Sequence, residues 1–140
     1  MITKTVHATC VAVGDRAVLL AGASGTGKSS IALELMAYGA TLVSDDQVVL
    51  VAESDVIVAS APPAIAGLIE ARGLGVLKAR AKDGATIAMV VDLDVSTSDR
   101  MPERRVVTLL GCDLPLFHRP DGRSLAPAIL QFLRAGASDR

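Results

Sequence analysis

The run Gly22-Ala23-Ser24-Gly25-Thr26-Gly27-Lys28-Ser29 fits the pattern G-x-x-x-x-G-K-[ST]. Its three glycines let the backbone close around an anion, so that several N–H groups aim at phosphate oxygens. Lys28 would reach the β- and γ-phosphates, and the Ser29 hydroxyl would hold Mg²⁺. Ser30 follows directly and belongs to the same phosphate-facing segment. Downstream stand two adjacent acids, Asp45 and Asp46. Beside a bound triphosphate, one acid can hold Mg²⁺ directly or through water. The other can accept a proton from an attacking hydroxyl. If both lie in extended backbone, their side chains diverge, which favours separate roles. Upstream stands His7, a side chain able to tune or orient a carboxylate.

Elements of suitable length must bring these groups together. Arg16 to Ala21 reads as a buried strand and Ser30 to Tyr38 as a helix with Gly39 as its C-cap. Strand, loop and helix is the context a phosphate-binding loop requires. Residues 2–13 read as another strand, with Val6, Ala8, Cys10 and Ala12 on one face. The Gly14-Asp15 turn makes a hairpin of the two strands. A two-residue turn sets Val13 opposite Arg16, and so His7 opposite Gly22. A helix of about ten residues rises about 15 Å, and a strand of about five residues returns about 16 Å. Asp45 and Asp46 therefore come back to the sheet edge that carries the glycine loop, the edge where open α/β sheets bind ligands.

Further strands are expected over Thr41 to Ser44, Val48 to Val51, residues 55–60, Ala85 to Asp94 and Arg105 to Leu110. Pro62 to Ile69 reads as a turn and short helix, residues 95–104 as a loop, and Leu125 to Leu133 as a closing helix. On its own, Glu70-Ala71-Arg72-Gly73-Leu74-Gly75 reads as a helix end with a glycine cap and an ion pair. The fold class is α/β, one P-loop domain over residues 1–140 with a mixed sheet.

Composition narrows the function classes. The formal net charge is −1, so no global field draws the chain to nucleic acid or to an anionic membrane. Only Tyr38, Phe117 and Phe132 are aromatic, too few for base stacking on single strands. No apolar run has the length of a membrane span, and the N-terminus lacks a signal-peptide pattern. The expected location is the cytoplasm. Cys10 and Cys112 lack metal-ligand spacing and read as reduced thiols. Hydrophobic residues make up 51% of the chain, which points to some apolar surface covered by other subunits. The lack of a guanine-reading N-K-x-D stretch favours ATP.

Taken together, these residues resemble the catalytic domain of HPr kinase/phosphorylase, a family that phosphorylates a serine of the phosphocarrier HPr. His7 stands a short way before the P-loop, Gly22 to Ser29 matches that loop, and Ile31-Ala32-Leu33-Glu34-Leu35 matches the helix after it. Asp45-Asp46 matches the paired aspartates, and Glu70 to Gly75 matches the signature E-x-R-G-L-G. Arg119-Pro120-Asp121-Gly122-Arg123-Ser124 is similar to the family's R-P-G-R-N. The resemblance implies a phosphoenolpyruvate-carboxykinase-like fold around ATP and Mg²⁺. By the same resemblance Asp45 is the proton acceptor, with His7 nearby, and Lys28 and Arg72 act on the phosphoryl group. Ser29, Asp46 and Glu70 lie on the metal side, and Arg100 matches a phosphate-contacting arginine. It further implies hexamers whose neighbouring subunits complete the HPr site.

Several positions depart from the family pattern. Ser30 replaces the acid that follows G-K-S, Ala8 replaces a glycine, and the stretch from Val95 to Arg105 is short. The chain is expected to be a short form without the family's N-terminal domain. These departures bear on the reverse, phosphorylase reaction more than on the kinase. The expected activity is an ATP-dependent protein-serine kinase acting on HPr. The alternatives are a nucleotide-binding module without transfer activity and a small-molecule kinase.

Overall fold

The computed structural model describes residues 2–138. Strands β1 (Thr3–Val13) and β2 (Arg16–Ala21) form the expected antiparallel hairpin, with Val13 opposite Arg16 and Ala8 opposite Ala21. The glycine loop leads from β2 into helix α1 (Lys28–Ala37). Gly39, at φ 105°, ends that helix in a backbone that only glycine enters readily. Strands β3 (Thr41–Ser44) and β4 (Gln47–Glu53) then run along one edge of β1 and are interrupted by Asp45-Asp46. Strand β5 (Val56–Ser60) pairs with β4. Strand β8 (Ala85–Thr97) pairs with β5 and lies parallel to β2. The pairings β1-β2-β8-β5-β4-β1 thus close a circuit. Strands β10 (Cys112–Pro120) and β9 (Arg105–Leu109) extend the sheet beyond β8, β10 parallel to it and β9 antiparallel to β10.

Side chains alternate between two aliphatic cores, as a strand period of two requires. From β1 and β2, Cys10, Ala12, Ala17 and Leu19 enter one core with Val48, Leu50 and Ile57. Val11, Val18 and Leu20 enter the other. There they pack beneath α1, through Ile31, Ala32 and Leu35, and helix α2 (Ala126–Ala135), through Ile129 and Leu133. Arg16 ties α2 down from the hairpin turn, its Nε donating to the Leu133 carbonyl at 2.8 Å.

Three expectations are corrected. Only Pro63–Ile65 is helical within residues 62–69, as a single 3₁₀ turn. Glu70 to Gly75 is not a helix end: strands β6 (Leu68–Ala71) and β7 (Gly75–Lys78) form a separate two-stranded hairpin. Gly73 at φ 89° and a Leu74 N–H to Ala71 C=O bond of 2.9 Å make its turn. Strand β8 runs on to Thr97, into residues 95–104 expected as a loop, and β10 forms over Cys112–Pro120, where no strand is expected. Pro115 and the polar end His118-Arg119-Pro120 hide the strand pattern of β10, which pairing with two neighbours supplies instead.

Candidate active site

Gly27, with φ 95°, is the N-cap of α1, so the helix starts at Lys28. The lysine ammonium turns back over the loop and donates to the carbonyls of Gly22 at 2.8 Å and Ala23 at 2.9 Å. The Ala23 carbonyl also accepts from the Thr26 hydroxyl at 2.8 Å. Gly22 allows this close folding: at φ 145°, an added Cβ would lie 2.9 Å from Thr26 Oγ1. Cation and backbone donors are therefore gathered at one helix N-terminus, where anions are favoured.

The crossover returns Asp45 and Asp46 to this edge, and the two acids part. Asp45 is buried, at 6% exposure. Its Oδ1 accepts from the hydroxyls of Ser29 at 2.7 Å and Thr9 at 2.9 Å, and its Oδ2 from the Glu70 N–H at 2.9 Å. Asp46 turns the other way, with φ 71° and a 68% exposed side chain. Its Oδ1 lies 3.3 Å from His7 Nδ1. The Ala8 N–H donates to the Asp46 carbonyl at 3.1 Å and fixes the turn against β1.

A polar cleft of about 250 Å³ separates the P-loop from these groups. Ser24, Gly25, Gly27, Lys28, Ser29 and Ser30 line one side, and His7, Asp46, Glu70 and Arg72 the other. Gly22, Ala23 and Thr26 complete the loop without lining the cleft, and Asp45 is bonded to Ser29 but lies buried off the cleft wall. The oxygens of Ser29, Asp45 and Asp46 suit a hard cation. Among the described residues no three His, Cys, Asp or Glu side chains converge as a metal cage. A Mg²⁺ ion here would take most of its ligands from phosphate and water, its usual preference.

Arg100 stands apart. It lines a second cavity of about 500 Å³ between β8, β10 and α2, floored by Met89, Val91, Phe117, Ile129 and Phe132. The chain leaves β8 after Thr97 on that side, and Arg100 is carried with it. The arginine that does reach the P-loop is Arg119, whose Nη1 donates to the Thr26 carbonyl at 2.7 Å. Sequence reasoning also missed Thr9 and Asp94. Thr9 is two residues from His7 and so on the same face of β1, a signal the alternation already carried. Both carboxylate oxygens of Asp94 accept from the Ala23 N–H, at 3.0 and 3.2 Å.

A mixed sheet, a glycine loop at a helix start and a paired acid at the returning strand define a P-loop α/β protein. Residues 2–109 match the model of the HPr Serine kinase C-terminal domain, and the chain belongs to that family. It is 38% identical over 139 residues to the HPr kinase/phosphorylase of Geobacillus kaustophilus, covering 89% of this chain and 45% of that one. The HPr kinase/phosphorylase of Bacillus pumilus is 37% identical over 142 residues, covering 91% and 46%. The chain thus spans about half the length of these curated relatives. The structure of the Hpr(Ser) kinase/phosphatase from Coxiella burnetii shares the fold, with a TM-score of 0.78 at 24% identity. The match covers 94% of this chain and 88% of that chain. Among the described residues no helix is long and apolar enough to cross a membrane.

Proposed function

We propose that this chain is an ATP-dependent protein-serine kinase acting on HPr or a closely related phosphocarrier. One observation carries the reading: the exposed His7–Asp46 pair stands across a polar cleft from a P-loop whose Ser29 is bonded to Asp45. That the similar proteins of Geobacillus kaustophilus and Bacillus pumilus are HPr kinase/phosphorylases supports the choice of substrate.

The geometry favours a division of labour opposite to the one expected. Asp45 already accepts from three protein donors and is screened from solvent. It suits holding Ser29 in place on the metal side better than taking a proton from a protein substrate. Asp46 is open to the cleft, and His7 steadies one of its oxygens. Asp46 is the proton acceptor in this proposal. The substrate serine hydroxyl gives its proton to the Asp46 carboxylate as its oxygen attacks the γ-phosphorus in line, while the bond from that phosphorus to the β,γ-bridging oxygen breaks and ADP leaves. Lys28 and the P-loop amides hold the transferred group, and Arg72 on the β6–β7 turn offsets charge at the cleft mouth. Mg²⁺, when bound, would neutralise charge shared between the β- and γ-phosphates.

Incubation with Mg²⁺, ATP and HPr should add one phosphate to HPr, mapped to a serine by mass spectrometry. Absence of transfer to any HPr-type carrier would remove the substrate assignment. Adding inorganic phosphate to phosphorylated HPr tests the reverse reaction in the same assay.

A further inference from the structure

Strand β8 pairs in parallel on both edges, with β2 and with β10, and the β10 ladder slips in register just past the point where the β2 ladder ends. Strand β8 pairs with β2 up to Ala21 opposite Asp92. On its other edge β8 pairs with β10, where His118 faces Asp92 but the next residue, Arg119, faces Ser96. Residues 93–95 therefore bulge out of the ladder, a device that re-aims side chains beside functional sites. The Asp94 N–H closes the bulge by donating to Asp92 Oδ1 at 2.9 Å. The bulge delivers Asp94 to Ala23 at the start of the P-loop, and the same step in β10 delivers Arg119 to Thr26 at its far end. Neither residue lines the polar cleft.

We infer that Asp94 and Arg119 are positioning residues that brace the P-loop from outside in its phosphate-accepting form. The loop holds Gly22, Gly25 and Gly27 at φ 145°, 86° and 95°, conformations that glycine adopts freely but does not enforce. Ordering such a loop at the moment of binding would subtract from affinity, and anchoring it beforehand avoids that loss. A carboxylate accepting a backbone N–H is among the stronger neutral-to-charged anchors. Arg119 adds a second fixed point three residues along, at the Thr26 carbonyl.

The inference rests on the P-loop reading, and calorimetry with ATP and Mg²⁺ separates the two. Wild type should bind. Asp94→Ala should bind about tenfold more weakly by releasing the loop, with KM for ATP raised to match and kcat within twofold. Asp94→Glu should restore most of the affinity, and Asp94→Asn, equal in size, should fall between. Exchange of the Ala23 amide should speed up in Asp94→Ala, a local readout independent of activity. If Asp94→Ala does not fold, Asp94→Asn and Arg119→Gln carry the comparison. Binding within twofold of wild type, with Ala23 exchange unchanged, overturns the brace alone. A loss of affinity that only tracks a lowered Tm, without rescue by Asp94→Glu, also overturns it. A wild type without affinity for ATP removes the P-loop reading and the brace together.

Discussion

The Ser29 hydroxyl donates to Asp45 Oδ1 over 2.7 Å and joins the first turn of α1 to the end of β3. One side chain thereby completes the P-loop while the other sits at the break in the neighbouring strand. The Thr9 hydroxyl and the Glu70 N–H converge on the same carboxylate. Asp45 is thus a junction of β1, α1, β3 and the β6–β7 hairpin, and Asp46 is left free to face the cleft.

The two aspartates should separate in assays. Asp46→Asn is expected to lower kcat about 10²–10³-fold through loss of the proton acceptor, with ATP affinity within twofold and Tm unchanged. Asp45→Ala should instead leave three buried or half-buried donors unpaired and cost about 3 kcal/mol of stability. Urea unfolding and single-turnover transfer measured on both variants check the pair. Equal kinetic losses in both would show that the roles are not divided.

Thr9→Val keeps the shape of the side chain and removes its hydroxyl. The expected cost is about 1 kcal/mol, the worth of a hydrogen bond to a charged group less the gain from apolar burial. The measurement is the shift of the denaturation midpoint at constant m-value.

Gly22→Ala should act on the loop rather than on the core. The new Cβ would meet Thr26 Oγ1 at 2.9 Å and Leu93 Cβ at 3.3 Å, in a backbone conformation that side chains rarely adopt. Nucleotide affinity should fall at least tenfold, and stability by about 1 kcal/mol. Calorimetry and thermal unfolding read the two effects separately.

Burial without a partner pushes the Cys10 thiol far above its ordinary range. The folded state therefore keeps the proton that the unfolded state releases above about pH 8.5. Stability tied to this group is fully present below pH 8.5 and is lost as pH rises beyond it, by about 1.4 kcal/mol per unit. Between pH 8 and pH 10 the loss should reach about 2 kcal/mol, and Cys10→Ala should flatten that slope. Urea titrations of both proteins at several pH values check it.

What could be read from the chain was what short-range geometry decides. A two-residue turn fixes the register of β1 on β2, so His7 could be set beside the glycine loop without a structure. Helix rise and strand rise nearly cancel, so Asp45 could be returned to Ser29. The division between the two aspartates was not readable, because it depends on one backbone turn at Asp46. The β6–β7 hairpin was mistaken because a glycine after an apolar run ends a helix and starts a hairpin turn equally well. Arg119 and Asp94 escaped because their positions depend on a register slip between strands distant in sequence. Arg100, expected at the phosphates by resemblance, could not be placed from the sequence because the route the chain takes after Thr97 carries it to another cavity.

Asp46 holds a left-handed backbone, φ 71°, that glycine would hold at lower cost and asparagine about as well. Stability and chemistry therefore pull this position in opposite directions. Asp46→Gly should make a protein as stable as the original or slightly more so, yet slower in transfer by the same factor of about 10²–10³ as Asp46→Asn. A screen scored on thermal tolerance alone would keep that variant, whereas one scored on turnover would reject it. The aspartate marks a place where the fold accepts local strain to keep a carboxylate facing the cleft.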